Sequence, residues 1–217
     1  MKDKAYKVSL AKNPNISVKV IPGHFATNSA HINSYIDMSP LKSNALVARD
    51  AARELAIPYL SSSMIETIVC MENTKVIGAF LAEELLEHGM SVMNSGSEIN
   101  VVTPLNNTKG KMIFFDSEIK LITNRKILLL VATISSGKTV NNTLECLEYY
   151  GGELVGISTL FMASDADLDL DIEVNTLFTA DDIHDYKIFS PGNCELCKAG
   201  VLVNAIISSE GYKRISS

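Results

Sequence analysis

The stretch "KILLLVATISSGKTV", residues 126–140, decides the reading of this chain. Residues 126–132, "KILLLVA", form a short apolar run without alternation, the pattern of a strand buried on both faces. A helical pattern follows over 138–150, with Val140, Leu144 and Leu147 on one face and Gly151-Gly152 at its end. Small hydroxyl residues, a glycine and a lysine stand at the junction. The first amides of a helix lack intrahelical partners and sit at the positive end of its dipole. Ser135, Ser136 and Thr139 add hydroxyl donors, Gly137 permits close backbone approach, and Lys138 adds charge. This chemistry suits a phosphate. The plainer alternative is that Ser135 or Ser136 serves as a helix N-cap.

Working outward, "MIETIVCM" (64–71) and "ELVGISTLFMA" (153–163) read as further buried strands. Residues 43–57 predict a helix stopped by Pro58. "VIGAFLAEELLEHG" (76–89) predicts another, with Gly89 as its stop. Shorter strands are expected at "MSVMN" (90–94), "INVVT" (99–103) and "MIFFD" (112–116), with a polar loop or lid at "PLNNTKGK" (104–111). Residues 1–40, interrupted by Pro14, Pro22, Gly23 and Pro40, are expected to be short strands and loops. Strands alternating with helices imply a parallel sheet covered on both faces, which binds ligands beyond its carboxyl edge.

The 217 residues suffice for one substantial core, and 47% hydrophobic with 20% charged content is ordinary for a globular chain. A net charge of −6 argues against a general nucleic-acid binder. No run of 18 apolar residues suggests a membrane span, and the amino-terminal stretch has no secretory h-region, so cytoplasm is the expected compartment. Cys70, Cys146, Cys194 and Cys197 do not resemble a disulfide framework.

One family that could own the loop is the P-loop NTPases. "ATISSGKT" (132–139) nearly matches their motif, but Ala132 stands where the first glycine is needed. The chain resembles the type I phosphoribosyltransferases far more extensively, and most closely the orotate phosphoribosyltransferase group. "LVATISSGKT" (130–139) aligns on the loop that holds the 5-phosphate of phosphoribosyl pyrophosphate. "GHFATNSAHINSYIDM" (23–38) is similar to the segment that builds the base-binding hood, with Gly23, Phe25, Ser29, Tyr35 and Asp37 in place. "TIVCMENTKVIGAFLAEEL" (67–85) looks like the strand, pyrophosphate loop and helix, and "GNCELCKAGV" (192–201) resembles a late C-x-L-C-x-x-G segment of some members. The resemblance covers about residues 20–203 in the correct order.

The resemblance implies an α/β fold with a central, mostly parallel sheet flanked by helices and a small N-terminal hood. It divides the chain into a hood segment (1–42), a phosphoribosyltransferase-like core (43–190) and a C-x-x-C segment (191–217) completing the hood or a dimer surface. It implies phosphate binding by Ser135, Ser136, Gly137, Lys138 and Thr139, and pyrophosphate binding by Glu72, Asn73, Thr74 and Lys75. Base binding falls to Phe25, Ser29, His31 and Tyr35, and lid catalysis to Lys109 and Lys111. Mg²⁺ would accompany phosphoribosyl pyrophosphate, the assembly would be a homodimer, and the role would be pyrimidine nucleotide supply. Lys75, Lys109 and Lys111 equally suit solvated surface lysines.

Three features depart from the family. The paired acids that bind the ribose hydroxyls are Val131 and Ala132 here, the lid lacks its arginine, and Ala30 replaces a hood glycine. A protein of the same fold that binds a phosphorylated ligand as a regulator is therefore the alternative. Cys194 and Cys197 offer only two zinc ligands where a structural site needs four, so no metal site is expected. His24 and His31 could touch a base or serve the hood's structure. The acidic stretch 165–173 lacks EF-hand spacing and reads as solvated loop.

Overall fold

The computed structural model describes residues 5–87, 93–106, 111–163, 172–208 and 211–215. The chain opens with β1 (Tyr6–Leu10), β2 (Asn13–Ala26) and β3 (His31–Asp37), then α1 (Ser39–Ser43), α2 (Ala45–Ala56), β4 (Thr67–Cys70) and α3 (Lys75–Glu87). There follow β5 (Asn100–Val102), β6 (Leu105–Asn106), β7 (Met112–Ile113), α4 (Asp116–Ile119), β8 (Lys126–Ile134) and α5 (Lys138–Tyr150). The chain continues through β9 (Glu153–Met162), β10 (Val174–Thr179), β11 (Ile188–Phe189), α6 (Glu195–Lys198), β12 (Ala205–Ser208) and β13 (Gly211–Arg214).

The central sheet runs β10-β9-β8-β4-β5, and every pairing in it is parallel. Because side chains alternate along a strand, β8 feeds two cores. Leu128, Leu130 and Ala132 pack with Leu55 of α2 and Leu81 of α3, whereas Ile127, Leu129 and Val131 pack with Val140 and Leu147 of α5. Each such fully buried aliphatic side chain contributes about 1.5–3 kcal/mol. The non-alternating apolar run is thus the signature of a strand with both faces covered.

Local chemistry fixes the helix ends. Asn44 caps α2, its side chain accepting from the Leu46 and Val47 amides. At the end of α5, Gly151 (φ 74°) donates back to the Leu147 and Glu148 carbonyls. The expected stop of α3 at Gly89 lies outside the described residues.

The second sheet runs β11-β3-β2-β12-β13, with β1 paired to β2, and forms the hood. Three strand expectations need correction. The amino-terminal segment is not a set of short pieces: β2 continues for 14 residues, absorbing Pro22 in a register shift between Pro22 and Phe25. A proline at a bulge removes no ladder bond that the strand needs. The strand expected at 90–94 is absent where it is described, since Met93 and Asn94 lie in a turn; residues 90–92 lie outside the described residues. Residues 112–116 give only the two-residue β7 before Asp116 opens α4.

Candidate functional site

A cavity of about 720 Å³ lies between the hood and the carboxyl edge of the central sheet. Its floor is the β8–α5 junction, with Ser135, Ser136, Gly137, Lys138 and Thr139 all lining it. Gly137, not a serine, is the N-cap of α5, in the left-handed conformation (φ 70°, ψ −8°), so the cap position itself carries no side chain. The plainer reading of Ser135 or Ser136 as a cap is thereby replaced: a left-handed glycine turns the chain and leaves the helix opening toward the cavity. Backbone amides at a helix N-terminus are a general arrangement for binding anions.

The P-loop alternative fails on local geometry. Such a loop must leave its strand early enough to wrap the phosphates, but Thr133 and Ile134 remain paired with Phe161 and Met162 of β9. Only residues 135–137 separate β8 from α5.

The β4–α3 junction forms the adjacent wall. Glu72 (φ 54°) and Asn73 (φ 64°) both hold left-handed backbone, a conformation that costs about 1–2 kcal/mol for such residues. Glu72 Oε2 accepts the backbone amides of Ala132 (3.1 Å) and Thr133 (3.0 Å). Burial pushes the Glu72 carboxyl above its ordinary range, against the lowering pull of the Thr133 and Ala132 amides and of Lys42. Lys42 Nζ donates to the Glu72 carbonyl at 3.3 Å and also lines the cavity.

The other two loop residues do not face this space. The Thr74 hydroxyl is fully buried and donates to the Met71 and Leu130 carbonyls, so it braces the turn. Lys75 begins α3 as an exposed side chain away from the cavity lining.

The hood supplies the roof. Ser29 and Tyr35 line the cavity. The Tyr35 hydroxyl is pushed up to about 12, first by burial and then by Asp37 and Tyr212. Phe25 lies behind this wall, fully buried, with its ring 5.9 Å from that of Tyr35, so it supports the roof instead of touching a base. His31 turns away from the cavity and joins His24, Cys194 and Cys197. Ala30 causes no backbone strain, because its φ is not positive; its carbonyl accepts from the Thr27 amide at 2.8 Å.

Of the lid lysines, Lys109 lies outside the described residues, as does most of the acidic stretch. Lys111 stands exposed just before β7, which pairs antiparallel with β6.

The missing acids are not equivalent in space. Val131 is fully buried toward α5, whereas Ala132, 3% exposed, lies on the α2 and α3 side and borders the cavity, its backbone amide bonded to Glu72. Sequence reasoning missed Lys42 and also Tyr186 and Ile188, which reach the cavity from the far end of the chain. No periodicity or motif marks them.

No family model matches the chain. Orotate phosphoribosyltransferase from Desulforamulus reducens is 23% identical over 183 residues, covering 84% of this chain and 86% of its own. Among solved structures, Leishmania donovani UMP synthase superposes with a TM-score of 0.55 at 19% identity over 75% of this chain. This chain has the type I phosphoribosyltransferase fold. The match spans only 34% of the longer UMP synthase chain. Mycobacterium tuberculosis orotate phosphoribosyltransferase, solved with 5-phospho-alpha-D-ribosyl 1-diphosphate, gives a TM-score of 0.51 at 12% identity, covering 68% of this chain and 82% of that one. Among the described residues, no helix of this phosphoribosyltransferase fold is long and apolar enough to cross a membrane.

Proposed function

We propose that this protein binds phosphoribosyl pyrophosphate and transfers its phosphoribosyl group to a nucleobase of the orotate type. The observation that carries this reading is the left-handed glycine, Gly137, that opens α5 beneath the hood in a cavity of about 720 Å³. The amides of 135–139, the hydroxyls of Ser135, Ser136 and Thr139 and the charge of Lys138 hold the 5-phosphate. Asn73, Glu72 and Lys42 border the ribose and pyrophosphate, and Ser29 and Tyr35 border the base. Lys111, just before β7, closes over the pyrophosphate, a role that the resemblance gives to Lys109 as well. A ring nitrogen of the base then bonds to C1 as the C1–pyrophosphate bond breaks.

Glu72 is the one carboxylate among the described lining residues. Glu72 would be the protein contact for a Mg²⁺ ion bound together with the pyrophosphate. When bound, the ion neutralises the leaving group. A homodimer acting in cytoplasmic pyrimidine nucleotide supply is the assembly and role that follow from the same resemblance.

A second reading is specifically favoured by Val131 and Ala132: a protein that binds the phosphorylated ligand without transfer. Losing one preorganised charge contact at the reacting centre typically costs about 10²–10³ in rate. Incubation with phosphoribosyl pyrophosphate, Mg²⁺ and a panel of bases separates the two. Base-dependent pyrophosphate release supports transfer. Saturable binding without release supports the regulator, and no binding of either ligand or inorganic phosphate removes both.

A further inference from the structure

We infer that His24, His31, Cys194 and Cys197 form a structural zinc site that pins the carboxyl-terminal segment to the hood. Each residue offers one ligand atom, and the four atoms lie within 4.8 Å of one another. His24 Nε2 stands 3.0 Å from His31 Nδ1, 3.5 Å from Cys194 Sγ and 3.7 Å from Cys197 Sγ. Cys197 Sγ stands 3.3 Å from His31 Nδ1. Around a tetrahedral zinc ion, bond lengths of about 2.0–2.1 Å to nitrogen and about 2.3 Å to sulfur give edges of about 3.3 Å between nitrogens and about 3.6 Å between nitrogen and sulfur. Four of the six edges lie within about 0.3 Å of those values, and all six are within 4.8 Å.

The tautomer agrees. His24 Nδ1 lies 2.8 Å from the Val201 carbonyl oxygen, which can only accept. Nδ1 therefore carries the proton, and Nε2 turns its lone pair toward the cluster. A backbone carbonyl holding the far nitrogen of a histidine is the usual support behind a metal ligand. Two thiols and two imidazoles in a tetrahedron select zinc over Mg²⁺. Binding converts both thiols to thiolates, releasing two protons to solvent and cancelling the ion's charge. That neutrality suits a site in which His24 and Cys194 are each only 1% exposed.

The frame is prebuilt. Asn204 accepts the His24 amide through its side chain (2.8 Å) and donates its own amide to the His24 carbonyl (2.7 Å). Ala205 and Ile206 of β12 pair with Phe25 and Ala26 of β2. The ion would close this junction from outside, at a distance from the phosphate loop. It also bears on the cavity, because the turn between His24 and His31 carries Thr27, Asn28, Ser29 and Ala30 into the cavity wall.

The full chain, produced without a histidine tag in zinc-containing medium, should carry about one zinc ion. Cobalt substitution should give intense tetrahedral visible bands and a thiolate-to-metal band in the ultraviolet. Both signals should vanish in Cys197→Ser and in His31→Ala. Cys197 lies at the exposed edge of the site, so its serine variant should retain the fold by circular dichroism. Chelation should lower the Tm of the parent protein and leave that of Cys197→Ser unmoved. A parent protein that takes up neither zinc nor tetrahedral cobalt overturns the proposal. So does stoichiometric zinc retained in a Cys194→Ser, Cys197→Ser double variant.

Discussion

The Glu72 carboxylate clasps the backbone of Ala132: its Oε2 accepts the Ala132 amide at 3.1 Å and the neighbouring Thr133 amide at 3.0 Å. A negative charge is thereby returned to the edge of β8, where the side chains of Val131 and Ala132 supply none. It comes from a different strand-to-helix junction, and it is held by a residue whose own φ is 54°.

Glu72→Gln should keep the shape of this contact, since one amide oxygen can accept both N–H groups, while removing the charge. Phosphoribosyl transfer, if Glu72 carries part of the lost acids' role, should fall about 10²-fold or more. Stability should move the other way. Burial raises the folded-state pKa of Glu72. A carboxyl raised on folding adds stability below its unfolded pKa, and that stability is lost as pH rises through the folded value. At neutral pH the glutamine variant should therefore have an equal or higher Tm. Its advantage should shrink as pH drops through the carboxylate range, which thermal melts across pH will read.

Gly137→Ala places a Cβ on backbone at φ 70°. The left-handed conformation costs an L-residue about 1–2 kcal/mol. For a chain of this size each kcal/mol lowers Tm by about 2–4 °C. Calorimetry should show that drop, and titration with inorganic phosphate should show weakened binding, because relaxing the turn realigns the amides.

Val131→Asp and Ala132→Asp should behave differently. The first buries a carboxylate against α5, and an uncompensated buried charge costs about 3–5 kcal/mol. Ala132 is also buried, at 3% exposed, but it borders the cavity beside Glu72, so Ala132→Asp should cost less, with the new acid and Glu72 raising each other's pKa. Denaturant melts should rank them in that order. Increased base-dependent pyrophosphate release in Ala132→Asp would identify the missing cavity-side acid as the limit on transfer.

Lys42→Gln should weaken binding of a phosphorylated ligand and flatten its salt dependence, since a screened charge in the cavity wall is removed. Isothermal titration at two ionic strengths is the measurement. Unchanged affinity at both would exclude Lys42 from the site.

Much of the central layer was legible in the sequence. The run Ile127–Val131 lacks alternation because both of its faces are covered, and the limits of α5, Lys138 and Gly151, are written in local chemistry. The hood was less legible. Pro14 and Pro22 read as interruptions, yet β2 runs through both because a bulge absorbs the second. Thr74 and Phe25 stand at motif positions, but tertiary packing turned the hydroxyl inward and placed the ring behind Tyr35.

The sequence by itself determined the parallel sheet, its helices and a phosphate-type junction, because periodicity, glycine and proline act within a few residues of where they stand. Only the tertiary structure decided that Val131 and Ala132 serve opposite faces and that Glu72 reaches across to the second. It alone brought His24 and His31 together with Cys194 and Cys197, about 170 positions away. Pairing of β12 beside β2 makes that meeting, and contact between distant segments leaves no periodic trace in either of them.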